Sequence, residues 1–100
     1  MTEYDRIKSK KHYLVATWQP NRGSSFESPS CIFYAGIFYS YPLTNVPSHE
    51  CYSSEKRAER VAEKCRTLYT RAAVIEVPNE AIIPYKRDRA TGIYVPMEVN

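Results

Sequence analysis

The alternation of apolar and polar positions predicts where this 100-residue chain forms strands. In the stretch KHYLVATWQP, His12, Leu14 and Ala16 fall on one face of an extended segment, and Tyr13 and Val15 fall on the other. This pattern predicts a strand buried on at least one side. The stretch PNRGSSFESPS that follows has two prolines, a glycine and four serines, which indicates a long exposed connection.

The densest aromatic stretch is CIFYAGIFYSYP, residues 31–42, in which five of twelve residues carry rings. Taken as one continuous strand, it has rings on both faces, with Tyr34, Gly36 and Phe38 together on one of them. A strand that is apolar on both sides is either covered twice or covered once and exposed once. A chain of this length has enough residues for one covering helix. We therefore predict that one ring face is exposed, which is the more economical of the two arrangements.

A spacing of three and four residues between apolar positions predicts a helix that begins after Ser53, its expected N-cap. The apolar positions of this helix are Ala58, Val61, Ala62, Cys65, Leu68 and Tyr69. Since the first half of this stripe consists of small residues, the helix can lie close against a sheet.

A third strand is predicted from Ala72 to Val77, and Pro78 ends it. The segments EAIIPYK and GIYVPMEV flank the polar turn RDRAT and form either an edge hairpin or an extended arm, because Pro84 and Pro96 lack backbone donors. The order β-β-α-β predicts an α+β fold, a small antiparallel β-sheet with one α-helix packed on one face. We expect a basic N-terminal arm at residues 1–11 and a single domain at residues 12–100.

Composition places the chain among ordinary globular proteins, with 43% hydrophobic and 25% charged residues. No apolar run approaches the roughly 18 residues that a bilayer-crossing helix needs, and the N-terminus lacks the apolar core of a signal peptide. The three cysteines are odd in number and none is closely spaced, which favours reduced thiols. We therefore expect a cytoplasmic protein with no membrane partner.

No motif of catalysis, cofactor binding or metal binding stands out, so we expect no enzyme activity, no cofactor and no metal. His49 and Cys51 lie two residues apart, but a zinc site normally has close pairs such as C-x-x-C. Cys51 fits a nucleophile only weakly. The three glycines are scattered at positions 23, 36 and 92, so the chain has no glycine-rich phosphate loop.

The net charge of +3 is unevenly distributed, with basic residues concentrated near both ends of the chain. The predicted helix carries its acidic and basic residues in two rows, each with a spacing of four: Glu55, Glu59 and Glu63, and Lys56, Arg60 and Lys64. Like charges four residues apart disfavour a helix slightly. The basic row can engage an acidic partner or a phosphate backbone, or it can be an ordinary solvated face.

A tyrosine-rich, weakly charged strand rimmed by Arg and Lys has the composition of a protein interface. The leading hypothesis is a non-catalytic binding protein that occupies a surface of a protein or ribonucleoprotein complex. Its expected partner-binding residues are Tyr34, Phe38, Tyr41, Lys56, Arg60, Lys64, Arg87 and Arg89. In the competing interpretation, the C-terminal segment folds over the aromatic face and the rings belong to the core.

Small size, many tyrosines and the lack of a motif are typical of proteins from phages and other mobile elements. The most concrete form of the leading hypothesis is therefore an inhibitor of a host defence system, of the anti-CRISPR type. The alternative is a small nucleic-acid-binding accessory protein that uses the basic helix row and the aromatic sheet face. A homodimer, through an edge strand or through the ring face, is also consistent with the pattern.

Overall fold

The computed structural model describes residues 2–29, 31–34, 37–39 and 43–98, without the side chains of residues 31, 33, 34 and 37–39. Its helices are α1 (Glu3–Ser9) and α2 (Glu55–Cys65). Its strands are β1 (Tyr13–Trp18), β2 (Cys31–Tyr34), β3 (Ile37–Tyr39), β4 (Val46–Pro47), β5 (Arg71–Glu76), β6 (Ile82–Ile83), β7 (Tyr85–Arg87) and β8 (Tyr94–Pro96). Helix α2 packs against the largest sheet, so the predicted α+β class is confirmed.

The main sheet has the strand order β3-β2-β1-β5, and every neighbouring pair is antiparallel. β1 pairs with β5 along its whole length, from Tyr13 opposite Glu76 to Trp18 opposite Arg71. On its other side β1 pairs with β2. β1 therefore lies inside the sheet, and β5 forms one edge of it.

The aromatic stretch forms two antiparallel strands, so the prediction of one continuous strand is wrong. Tyr34 of β2 is paired with Ile37 of β3, and Phe33 is paired with Phe38. Adjacent pairs of an antiparallel ladder belong to opposite faces of the sheet, so positions 34 and 38 do not share a face. The ring pattern did not distinguish the two arrangements, because one long strand and two short strands have the same period of two.

Helix α2 covers one face of the sheet, where it contacts β1 and β5. The buried residues on this side are Val15, Tyr52, Ala58, Ala62 and Ala72. Ala58 and Ala62 are fully buried, and their small side chains let the helix lie close to the strands. The first half of the predicted apolar stripe is therefore the packed face of the helix.

The last two residues of that stripe lie beyond the helix. α2 ends at Cys65, and Leu68 and Tyr69 are 85% and 65% exposed, so their predicted place on the helix is wrong. The Thr67 amide donates to the Thr70 carbonyl at 3.1 Å, and the Thr67 hydroxyl accepts from the amides of residues 69 and 70. A threonine hydroxyl that bonds its local backbone competes with helix continuation, which explains the early end.

The opposite face of the sheet is covered by residues 43–51 and 77–82. The sheet contributes Leu14, Ala16 and Ile32 to this second core, and the covering residues are Leu43, Val46, Cys51, Val77, Ala81 and Ile82. The parallel pair β4–β6 joins the two covering segments to each other. β1 therefore has two covering layers, and the second core also buries Ile32 of β2. The economical prediction had a single covering layer.

The two ends of the chain form smaller elements. β7 and β8 pair antiparallel, so of the two predicted forms of the C-terminal segment the hairpin is confirmed. It forms a separate two-stranded sheet and does not lie at an edge of the main sheet. Near the N-terminus, α1 lies within the predicted basic arm, and Thr2 and Asp5 form a capping box at its start. The Lys8 ammonium donates to the Ile82 carbonyl at 2.8 Å, which connects α1 to the covering layer.

The N-cap of α2 gives a direct test of the fold. Ser54, rather than the predicted Ser53, is the cap, and its Oγ accepts from the Arg57 amide at 3.3 Å. Ser54→Ala should lower the free energy of unfolding by about 1 kcal/mol, because this amide loses its acceptor. Ser53→Ala is the matched control, with an expected change below about 0.5 kcal/mol. Urea unfolding followed by circular dichroism measures both, and equal losses would contradict the assignment.

Candidate binding surfaces

The aromatic residues of the leading hypothesis do not form the single face that the pattern predicted. Tyr34 and Phe38 occupy positions on opposite faces of the sheet. Tyr41 lies outside the described residues. A role for these three residues in partner binding therefore stays a prediction, without a common ring face to support it.

The basic row of α2 is an exposed strip on the side of the helix away from the sheet. Lys56, Arg60 and Lys64 are all exposed, and none of them forms an ion pair with another described residue. Arg66 instead pairs with the acidic row, with Nη2 3.7 Å from Glu59 Oε2. The basic row is thus free to meet a partner, but a row of carboxylates lies beside it.

The tip of the β7–β8 hairpin presents Arg87 and Arg89, both exposed. Asp88 holds this turn: its amide donates to the Ile93 carbonyl at 2.8 Å, and its carboxylate accepts from the amide two residues further on at 3.0 Å. Gly92 has a φ of +74°, which residues with a Cβ rarely adopt. The tip is therefore a defined turn, and the 63% exposed Ile93 lies beside its cations.

His49 connects the hairpin to the body of the protein. Its ring stacks on Tyr94 at a centroid distance of 4.3 Å and an interplanar angle of 3°, and it packs against Tyr85 at 4.9 Å. The neighbouring Ser48 Oγ accepts from the Tyr85 amide at 2.9 Å. Burial lowers the pKa of His49 from its ordinary value, so the stacked ring is mostly neutral at pH 7. These contacts fix the orientation of the hairpin relative to the rest of the protein.

A groove with a volume of about 470 Å³ borders β5 on the face of the sheet opposite α2. Val74, Ile75 and Glu76, three consecutive residues of that strand, all line it. Ile75 packs with Ala16 and Leu43 on this face, whereas Val74 packs with the residues under α2. Since β5 is the last strand in the order of the sheet, the groove lies next to an edge strand. Ala16 and Leu43 complete an apolar floor.

The loop between β1 and β2 forms the other wall of this groove, through Phe26 and Pro29. The Phe26 ring is 50% exposed and packs edge-on against Trp18, with ring centroids 5.5 Å apart. Ser25 and Ser28 exchange backbone hydrogen bonds of 3.2 and 3.3 Å, which closes the loop. The sequence indicated only a long exposed connection here, because nothing in it relates the loop to a strand 45 residues away.

Cys51 is unsuited to nucleophilic chemistry. Its side chain is buried, with Sγ 3.8 Å from the Pro47 carbonyl oxygen. Burial, with a smaller contribution from the Glu50 carboxylate, raises the pKa of the Cys51 thiol to about 12. Such a thiol is protonated at neutral pH, whereas the thiolate is the nucleophile. Among the described residues, no group of three His, Cys, Asp or Glu side chains could hold a metal ion.

On the described part of the chain, the groove that borders β5 and the tip of the β7–β8 hairpin are the two candidate binding surfaces. Neither α1 nor α2, the helices among the described residues, has the length and apolar character needed to cross a membrane. No protein-family model matches the chain, and comparisons with curated proteins and with solved structures found no match.

The raised pKa of Cys51 predicts slow alkylation. In the folded protein at pH 8, iodoacetamide should modify Cys51 at least tenfold more slowly than in urea, because about 1 thiol in 10⁴ is ionised at a pKa near 12. Cys65 is only half-buried and provides an internal reference in the same sample. Peptide mapping by mass spectrometry measures each site. Equal rates for Cys51 in the folded and unfolded protein would contradict the burial described above.

Proposed function

We propose that the protein is a non-catalytic binding protein that occupies a surface of a partner protein or ribonucleoprotein complex. The observation that carries this proposal is the groove that borders β5, the edge strand of the main sheet, and that is lined by Val74, Ile75 and Glu76. Addition of a partner strand to a sheet edge is a recurring mode of protein recognition. In this mode, main-chain hydrogen bonds supply affinity and neighbouring pockets supply specificity.

The sequence of β5, RAAVIE, supports pairing at its outer side. Natural proteins usually protect an edge strand with Lys, Pro, a bulge or a covering segment. Within β5 there is no Lys or Pro, its register with β1 is continuous, and its charged residues Arg71 and Glu76 stand at its two ends. No other described strand pairs with its outer side. An open edge beside a shaped groove favours a binding site.

A protein that works by occupying a surface needs no catalytic residue. An inhibitor requires no more than this, since a strand or loop of the target held in the groove is unavailable for the target's own contacts. We therefore propose, as the most concrete form, a phage or mobile-element inhibitor of a host defence complex of the anti-CRISPR type. Its support is the open β5 edge with the groove beside it.

Phe26→Ser should abolish capture of the partner, because it removes the exposed ring from the wall of the groove. Leu68→Ser is the matched control, since it removes an even more exposed apolar side chain that does not line the groove. Pull-down from a host lysate with wild type and both variants, followed by mass spectrometry, makes the comparison. The expected partner is stoichiometric, lost with Phe26→Ser and retained with Leu68→Ser.

Two further measurements separate a binding defect from a folding defect. Thermal unfolding of both variants is required, because Phe26 also packs against Trp18. Amide hydrogen exchange of the wild-type complex should show new protection at residues 71–76, where the partner strand would bond. A partner that is captured equally by all three proteins, with no new protection of β5, would exclude the edge as the binding site.

A second candidate function, nucleic-acid binding, is favoured by the cations of the hairpin. Lys86, Arg87 and Arg89 are exposed and form no ion pair with any described residue. Tyr94, beside them, is 46% exposed and could stack on an unpaired base. The one carboxylate of the turn, Asp88, is engaged by the backbone of the turn itself. A two-stranded ribbon of this kind also fits the major groove of DNA.

Charge-reversal variants show whether nucleic acid binds the hairpin or the basic row of α2. If nucleic acid is the partner, Arg87→Glu with Arg89→Glu should weaken oligonucleotide binding by at least tenfold, because two phosphate contacts become repulsive. Arg60→Glu with Lys64→Glu makes the same charge change on α2. Fluorescence anisotropy of a labelled oligonucleotide, measured over a series of salt concentrations, reports both. Absence of binding by the wild type at low salt would remove this second function.

A further inference from the structure

We propose that the groove along β5 takes a basic segment of the partner, an extended peptide in which lysine or arginine alternates with apolar residues. This inference rests on the proposed function, since it names the chemistry of the strand that pairs with β5. The charge of the groove, in a protein whose net charge is +3, is the observation that leads to it.

Carboxylates border the groove. Glu27, from the loop between β1 and β2, and Glu76, from the end of β5, both line it and are both exposed. Glu80 lines an adjoining groove, which shares Leu43 and Pro78 with the first. The described residues that line the two grooves include no Lys, Arg or His. On this otherwise basic protein, the β5 edge is therefore a region that attracts cations.

Lys11 of the chain itself already lies against this rim. Its Nζ is 3.7 Å from Glu76 Oε1. Both side chains are exposed, so the pair contributes little to stability and can give way to a cation of the partner. Glu27 forms no ion pair with any described residue, so it can receive a second cation without losing an existing partner.

The floor of the groove determines the apolar positions of the peptide. Ala16, Leu43 and Ile75 are apolar, and the exposed Phe26 ring stands at the wall. Side chains of an extended peptide alternate in direction, so apolar residues at every second position can face this floor. Lysine and arginine have apolar stems that can cross the floor while their charged ends reach the carboxylates at the rim.

A second copy of this chain fits the groove less well than a basic peptide. When two identical edge strands pair antiparallel about a twofold axis, the same faces of the two sheets lie on the same side. Two grooves would then adjoin, each with Glu27 and Glu76, and their like charges would repel. The same carboxylates also repel a phosphate backbone at this site. Of the three occupants, the basic peptide is therefore the one whose charge is complementary to the groove.

The test is a titration of the ¹⁵N-labelled full chain with synthetic peptides, followed by amide chemical shifts. The peptide KVKVKVK should shift the amides of residues 71–76, and the matched peptide EVEVEVE should not. E27Q combined with E76Q should weaken binding of the basic peptide by roughly tenfold, because two exposed charge pairs are lost. E55Q combined with E63Q makes the same change in net charge on α2, and it should leave the affinity within about twofold.

The outcomes separate this inference from the proposed function. If both peptides bind β5 equally, or if E27Q with E76Q binds as tightly as wild type, the basic occupant is overturned while strand addition stands. If KVKVKVK shifts residues outside the groove, or shifts none, the basic occupant is also overturned. In that case the pull-down with wild type and Phe26→Ser still tests the proposed function. A dimer in light scattering that dissociates with Phe26→Ser would replace the peptide with a second copy.

Discussion

Burial of β1 on both faces is the constraint on which the rest of the structure depends. Leu14, Val15 and Ala16 are consecutive and at most 1% exposed, although their side chains alternate between the two faces of the sheet. A strand of this kind needs two covering layers. Helix α2 supplies one, and residues 43–51 with residues 77–82 supply the other. The small residues of α2 complete the first layer, and the parallel β4–β6 pair joins the two segments of the second layer.

The same constraint explains where the sheet stays open. The chain leaves α2, pairs with β1 as β5, and then turns back over the face of the sheet to complete the second layer. It does not continue along the outer side of β5, and no other described strand lies there. The loop that carries Phe26 then adds a wall, because that ring packs on Trp18 of β1. The groove is thus a consequence of how the core is closed.

Charge divides the surface into two regions of opposite character. The exposed cations of the hairpin lie without ion-pair partners among the described residues, whereas the grooves near β5 carry Glu27, Glu76 and Glu80 and no cation in their described lining. A basic peptide is favoured at the second region and disfavoured at the first. Nucleic acid has the reverse preference. The two candidate functions therefore predict different binding sites on one small protein, which makes them separable by mutation.

Local periodicity in the sequence determined the class of the fold and the positions of β1, α2 and β5. It left a hairpin and an extended arm open for the C-terminal segment, and the structure decided for the hairpin. Periodicity could not decide between Ser53 and Ser54 as the helix cap, since adjacent serines have the same chemistry. It also could not show that residues 31–39 form two strands, because the alternation is the same in both cases. Only the tertiary structure placed Phe26, Leu43 and Ile75 around one groove, because contacts between residues so far apart in sequence leave no local pattern.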